Sequence, residues 1–539
     1  MLDYKEKAFL VVDDITEMRS SMRTTIATFG GFKIDMSSSA FDALGKLERT
    51  PYDIVLCDYV LGDAMDGQQL LEEIKRRKLL KSSSIFMMVT AERGYERVVS
   101  AVELAPDDYL IKPFTGETLR ARLDRLVKKK AVFAPVYNLM DDQEYRKAIQ
   151  ICDELIKLKN QYVIDLMRLK AELHMTLGEF PEAGMIYEQI LKVREIPWAQ
   201  LGLAKCRYHE QNYEEAVDML ESLVETNPNY LAAQDWLAKT YSLTDKSKEA
   251  QNILMNATAK SPRIVPRQKT LGETAYKNQD LDTAQNSFRA VLDYGKYSSL
   301  TAPEDFANLS RVHLDKGNHQ EALDLMKDAR KTFKKSPEAM LHAAVMDSLI
   351  HSQSGDQEAA EAAYREAMQL YGENPDIPPS AAIDLARASF TRGDEEAGQN
   401  IVQTLVKNNH ENTAILKQTE NMFDQIGMLE KGRTLISESA KEIISLNNRA
   451  VKMAQAGDLK GSVELLIQAA EGFDANNVIK LNAAHAIIAF MHREGWNDNL
   501  GANAKRYLGI VKQREPDNQK LASLNTLYRE TAKKYGIRV

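Results

Sequence analysis

A chain of 539 residues exceeds what one hydrophobic core can organise, so two or more domains or a repeat array are expected. Hydrophobic residues make up 44% and charged residues 27%, the balance of an ordinary soluble protein. The net charge of −8 belongs wholly to the part beyond residue 130, because residues 1–130 are neutral, and an acidic C-terminal region is a poor partner for nucleic acid.

Other classes recede for local reasons. The first residues, Met1-Leu2-Asp3-Tyr4-Lys5-Glu6, are charged, and apolar runs such as Ile85 to Val89 are far too short to cross a bilayer, so a cytoplasmic protein without a membrane partner is expected. Cys57, Cys152 and Cys206 are odd in number and lie on apolar faces, which suits buried thiols in a reducing compartment. The nine histidines contain no pair at zinc-ligand spacing, and no glycine loop for phosphates is present. Independent enzyme chemistry therefore has little to stand on.

The N-terminal part alternates. Ala8–Val12 reads as a strand ending in Asp13-Asp14, and Glu17–Phe29 as a helix stopped by Gly30-Gly31. Strands at Phe32–Met36, Ile54–Cys57, Ile85–Val89 and Tyr109–Ile111 alternate with helices at Ala40–Leu47, Gln68–Arg77, Glu92–Glu103 and Thr115–Lys129. Five such units predict an α/β fold, a doubly wound five-stranded parallel sheet covered on both faces.

Polar groups collect at the carboxyl ends of these strands: Asp13 and Asp14, Asp58, Thr90, and Lys112 before Pro113. That edge is where open α/β sheets bind ligands. Clustered carboxylates stay ionised only if a cation joins them, and Mg²⁺ is the hard, oxygen-preferring choice. Asp58 could then attack a phosphoryl group, with Lys112 as a point charge and Thr90 as a hydroxyl donor.

Residues 5–130 resemble the receiver domain of two-component response regulators. The resemblance rests on Asp13-Asp14, Asp58, Met65-Asp66-Gly67, Thr90-Ala91 and the run Asp108-Tyr109-Leu110-Ile111-Lys112-Pro113-Phe114. It implies a flavodoxin-like fold in which Asp58 accepts the phosphoryl group and Asp13, Asp14 and the Val60 carbonyl join it around Mg²⁺. It also implies that Thr90 and Lys112 contact the phosphoryl oxygens, and that Thr90 and Tyr109 form the switch. Taken singly, Asp14 could cap a helix, Thr90 start one, Lys112 be a surface lysine and Tyr109 a packed aromatic; five matched positions together are hard to assign to chance. Departures are the absent proline and the extra length in Tyr59-Val60-Leu61-Gly62-Asp63-Ala64-Met65, and the apolar Val60.

Lys128-Lys129-Lys130 suits the C-terminal end of the last receiver helix, and residues 131–140 are expected to form a short linker that keeps the receiver mechanically close to the C-terminal region. From 141 to 520 the pattern is helical and periodic. Ala183, Ala216, Ala250 and Ala284 are about one 34-residue repeat apart, as are Ala171, Ala204, Ala238 and Gly272, while Pro228 and Pro262 end units. The period, with pieces such as Asn212-Tyr213-Glu214-Glu215-Ala216, resembles tetratricopeptide repeats and predicts an all-α solenoid of about nine helix pairs. It is expected to be irregular after about residue 390, with a capping helix over 521–539.

Such arrays bind partners in the groove lined by the first helix of each pair. The repeat register assigns Arg168, Lys205, Tyr208, Lys239, Lys269, Tyr276, Lys277 and Arg311 to that groove. Each alone could be an ordinary solvated side chain; as a set they suggest an acidic or extended peptide. The expected protein is thus a signalling adaptor and no enzyme beyond Mg²⁺-dependent phosphorylation and dephosphorylation of its own Asp58. A sensor histidine kinase would supply the phosphoryl group, an unidentified protein would occupy the groove, and a homodimer through the receiver is open. Two alternatives are a phosphate sink that drains a kinase and a constitutive scaffold with a vestigial receiver; a transcription factor is disfavoured by charge.

Overall fold

The computed structural model describes all residues except 1–3, 63–64, 92–105, 160, 297–299, 374–376, 516–517 and 538–539. The helix expected over Glu92–Glu103 lies outside the described residues. The chain divides into two compact units, residues 1–301 and 302–539.

The first unit opens with a five-stranded parallel sheet in the order β2-β1-β3-β4-β5. Its strands are β1 (Ala8–Val12), β2 (Lys33–Ser37), β3 (Ile54–Asp58), β4 (Ile85–Thr90) and β5 (Asp108–Ile111). β3 and β4 are interior and buried at every position, whereas the edge strands β2 and β5 are partly open. That division follows from the layers: inner strands of a parallel sheet carry helices on both faces and so need apolar residues throughout. Helices α1 (Thr16–Thr28), α2 (Ala40–Leu47), α3 (Gly67–Arg76) and α4 (Gly116–Asp141) cover them. One face buries Leu10, Val55 and Met88 with Leu44 and Leu70, and the other buries Phe9, Leu56 and Val89 with Ile26, Leu119 and Leu123.

The segment expected as a linker is helix. α4 runs unbroken for 26 residues from the receiver-like sheet through residues 131–140. Pro135 lies on its exposed side, where solvent can satisfy the Ala131 carbonyl that loses its partner. The buried residues Phe133 and Val136 turn the C-terminal half into part of the helical array.

Helices α5 (Tyr145–Lys157), α6 (Val163–Leu177), α7 (Phe180–Val193), α8 (Pro197–His209), α9 (Tyr213–Thr226), α10 (Leu231–Leu243), α11 (Ser247–Lys260), α12 (Val265–Lys277) and α13 (Leu281–Gly295) complete the first unit. The hairpin turns share one signature, a residue with positive φ at Gln143, Gly178, Gln211, Asp245 and Gln279. The near-constant spacing shows why α4 belongs to both parts: its turn at Gln143 sits one repeat before Gly178. The alanines of the sequence pattern, Ala171, Ala183, Ala204, Ala216, Ala238, Ala250 and Ala284, are all buried where helices meet. At Gly272 a Cβ would stand 2.6 Å from the Phe288 ring, so the close approach requires glycine.

The second unit consists of α14 (Pro303–Asp315), α15 (His319–Thr332), α16 (Pro337–Ser354), α17 (Gln357–Glu373), α18 (Pro379–Thr391), α19 (Glu395–Asn408), α20 (Thr413–Gln425), α21 (Leu429–Gln455), α22 (Leu459–Gly472), α23 (Asn477–Glu494), α24 (Asp498–Arg514) and α25 (Gln519–Lys534). Its turns continue the signature at Gly317, Gly355, Gly393, Gly427 and Gly457. Helix pairs therefore persist past residue 390. The departure from regularity is α21, whose 27 residues serve two bundles: Leu435, Ile436 and Ala440 pack on the core that ends at Phe423, and Ile443 and Ala450 on the core that reaches Tyr528.

Candidate functional site

The sheet order reverses around β1 and β3, and the crevice at such a point lies at the strands' carboxyl ends. Asp13 follows β1 and Asp58 ends β3. Asp13 and Asp58 are buried while Asp14 is exposed, and one carboxylate oxygen from each lies within 4.8 Å of the others. Lys112, just past β5, donates from Nζ to Asp13 Oδ2 at 2.8 Å and to Asp58 Oδ2 at 2.7 Å. Its backbone is fixed by an N–H donated to the Thr90 carbonyl at 2.7 Å. Thr90 itself ends β4 and is buried.

The remaining acceptors are used sparingly. Asp13 Oδ1 accepts from the Ile15 N–H at 2.9 Å, and Asp58 Oδ1 from the Val60 N–H at 3.3 Å. Val60 itself is 43% exposed. Burial pushes the Asp58 carboxyl above its usual range, opposed by Lys112 and reinforced by Asp13. Burial draws the Lys112 ammonium down, but its bonds to Asp13 and Asp58 outweigh that and leave it raised. The arrangement is two buried acids bridged by one cation, with a third acid facing solvent; it fits a further oxygen-seeking cation of the Mg²⁺ class.

Tyr109, in β5, has a buried hydroxyl without a hydrogen-bond partner among the described residues. Burial, and secondarily the neighbouring Tyr59, raises its phenol. The ring packs beside the cluster formed by Tyr59 and Met88.

The eight residues that the repeat register assigns to the groove separate into groups. Arg168 lies over the Trp198 ring at 4.9 Å, Lys205 over Trp236 at 4.9 Å, and Lys239 over both Tyr208 at 4.9 Å and Trp236 at 4.5 Å. A cation on each of α6 and α8 thus covers a tryptophan of the next first helix. Burial lowers both lysine ammoniums, and among the described residues neither has a carboxylate partner. His209 stacks on Phe180 at 4.7 Å and is pushed down to about 4 by burial and then by Lys239 and Lys205, so it is neutral at pH 7. Lys269 is bonded to the Leu300 carbonyl at 2.7 Å, and Tyr276 and Lys277 lie farther along on α12. Arg311 lies in the second unit, where it pairs with Asp384 and Asn308. Trp198, Trp236 and His209, which the repeat register does not single out, join these contacts. The pair Trp236 and Lys239, three apart on one helix, was the available signal.

Comparison with known proteins agrees in both parts. Residues 9–124 match the response regulator receiver domain model, and residues 198–230, 269–337 and 346–374 match tetratricopeptide repeat models. The chain is 29% identical over 125 residues to the chemotaxis protein CheY-3 of Vibrio cholerae, which covers 23% of this chain and 95% of that protein. It is 26% identical over 137 residues to the alkaline phosphatase synthesis transcriptional regulatory protein PhoP of Bacillus subtilis, covering 25% of this chain and 55% of that one. Among solved structures, a CheY-like receiver domain protein of Methanospirillum hungatei is 27% identical over 23% of this chain and 96% of its own, at a TM-score of 0.21. None of the helices among the described residues is long and apolar enough to cross a membrane.

Proposed function

We propose that this chain, a response-regulator receiver domain followed by tetratricopeptide repeats, is a phosphorylation-controlled adaptor of a two-component system. Supporting the reading above all is the bridge that Lys112 forms between Asp13 and Asp58, with Asp14 beside it.

The chemistry runs from the residues. Asp58 Oδ attacks the phosphorus of a phosphohistidine on a sensor kinase; a P–O bond forms, the P–N bond breaks, and the electron pair leaves with the imidazole nitrogen. Lys112, already 2.7 Å from Asp58, remains to offset charge on the phosphoryl oxygens. Thr90, at the end of the adjacent strand, offers a hydroxyl to the same group. Asp13, Asp14, Asp58 and the Val60 carbonyl would hold Mg²⁺, which supplies charge neutralisation while the acids come together. A change at Thr90 would pass to Tyr109 on the adjacent strand, whose hydroxyl has no hydrogen-bond partner among the described residues, and the receiver's state would then change protein binding by the repeats.

The groove formed by Arg168, Lys205, Tyr208 and Lys239 with Trp198 and Trp236 is the proposed partner site, suited to an acidic extended peptide. The test of the receiver assignment is labelling. Protein with Mg²⁺ and acetyl phosphate should gain one acid-stable, base-labile phosphoryl group that Asp58→Ala lacks; labelling that survives in Asp58→Ala overturns the reading.

A further inference from the structure

The receiver is held by the repeats at a second place besides the shared helix α4, and that place adjoins Asp58. Arg263, between α11 and α12, donates from Nη1 to Asp66 Oδ2 at 3.2 Å. Asp66 is the N-cap of α3 and forms a capping box with Gln69: Asp66 Oδ1 accepts from the Gln69 N–H at 2.8 Å and Gln69 Oε1 from the Asp66 N–H at 3.0 Å. Gln69 then donates from Nε2 to the Tyr294 carbonyl of α13 at 2.8 Å. Both members of the box are therefore gripped by the same repeat.

The gripped turn rests directly on the phosphoacceptor strand. The Gly67 N–H donates to the Tyr59 carbonyl at 2.8 Å, and a Cβ at Gly67 would stand 2.1 Å from the Asp58 carbonyl oxygen. No side chain fits between them, so the first turn of α3 and the backbone of Asp58 move together or lose this packing. The route from Arg263 to Asp58 is Asp66, Gly67 and one van der Waals contact. Asp66 is itself buried, and the Gln69 N–H first and Arg263 second offset the cost of its charge.

We infer that Arg263 is a positioning residue for the Asp58 phosphoryl site, by which the fifth helix pair, α12 and α13 with the turn that precedes them, fixes the first turn of α3 against the backbone of Asp58. The inference rests on the proposal that Asp58 is phosphorylated. The inferred clamp resists any displacement of that turn when a group binds at Asp58, and by linkage it weakens that binding to the same degree.

The test uses the full chain as wild type, Arg263→Ala, Arg263→Lys and Asp58→Ala. The probe is beryllofluoride with Mg²⁺, with acetyl phosphate labelling in parallel. Arg263→Ala should bind beryllofluoride at least about fivefold more tightly than wild type, and Arg263→Lys, which keeps the charge, should fall between them. In wild type the probe should raise amide exchange in residues 261–264, and in Arg263→Ala it should leave that segment unchanged. Equal or weaker beryllofluoride affinity in Arg263→Ala, with wild type still labelled at Asp58, overturns the inference and leaves the phosphorylation reading standing. A wild type that takes neither probe nor label overturns both.

Discussion

Lys112 Nζ lies 2.7 Å from Asp58 Oδ2, joining residues that are 54 positions apart at the ends of two strands. Both side chains are nearly enclosed, so the charge of each depends on the other. Removing one partner of a buried pair leaves an uncompensated charge, at a cost of about 3–5 kcal/mol. Lys112→Ala should therefore lower the thermal midpoint by several degrees, and added Mg²⁺ should recover part of the loss. A melting curve that is unchanged in Lys112→Ala would show that the bridge contributes nothing to stability.

The carboxylate cluster makes a second expectation about metal. Burial and Asp13 raise the Asp58 carboxyl even with Lys112 bonded to it, so a further cation favours its ionised form. Mg²⁺ at one hundred times its dissociation constant should add about 2.7 kcal/mol of stability to wild type. Replacing Asp13 and Asp14 together by Asn should abolish both that gain and phosphoryl labelling. Calorimetric scans with and without Mg²⁺ decide it.

Much of this site was legible because it depends on strand order along the chain. An apolar run that ends in an acid delivers that acid to a known edge, whatever the details of packing, and Asp13, Asp58, Thr90 and Lys112 needed no more than that. The sheet was legible for the same reason, with strand ends displaced by about one residue. What the sequence hid was continuity. Pro135 and the basic Lys128-Lys129-Lys130 look like a boundary, yet α4 passes through because the proline faces solvent while Phe133 and Val136 face the array. Repeat register placed Lys205 and Lys239 on neighbouring first helices, but whether a cation is open or paired depends on contacts from other repeats, as Arg311 with Asp384 shows, 73 residues away.

Glu72, on α3, supplies a pH dependence. Burial, then Glu73 and Asp66, push its carboxyl up to about 7 against an ordinary value of 4.5. Between those values the folded protein binds more protons than the unfolded chain, so stability falls as pH rises through this window, and the loss is complete above it. Glu72→Gln should leave the thermal midpoint unchanged near pH 4 and raise it at pH 8. After allowance for partial exposure, the gain should be on the order of 1–2 kcal/mol. Equal differences between wild type and variant at the two pH values would rule out Glu72 as the titrating group.

The last expectation concerns the groove. Lys205 and Lys239 come from successive first helices and share the Trp236 ring, at 4.9 and 4.5 Å, with no carboxylate partner among the described residues. Burial already disfavours both charges, so an acidic side chain that entered between them would gain two charge-assisted contacts without first breaking an ion pair. It would also alter the surroundings of Trp236, one of only three tryptophans in the chain, which makes fluorescence a direct readout. An Asp- and Glu-rich octapeptide should change the emission of wild type, with an affinity that weakens as salt is added. The change should persist in Trp198→Phe and vanish in Trp236→Phe. Reversing Lys205 and Lys239 to Glu should weaken binding at least about tenfold, because two attractive contacts become repulsive, while Lys277→Glu, outside the tryptophan cluster, should do less. Helical content and Asp58 labelling should survive, since neither lysine carries a core contact of the receiver. Undiminished binding in the double variant would exclude the groove and direct attention to the exposed face of α21 that carries Lys441, Arg449 and Lys452.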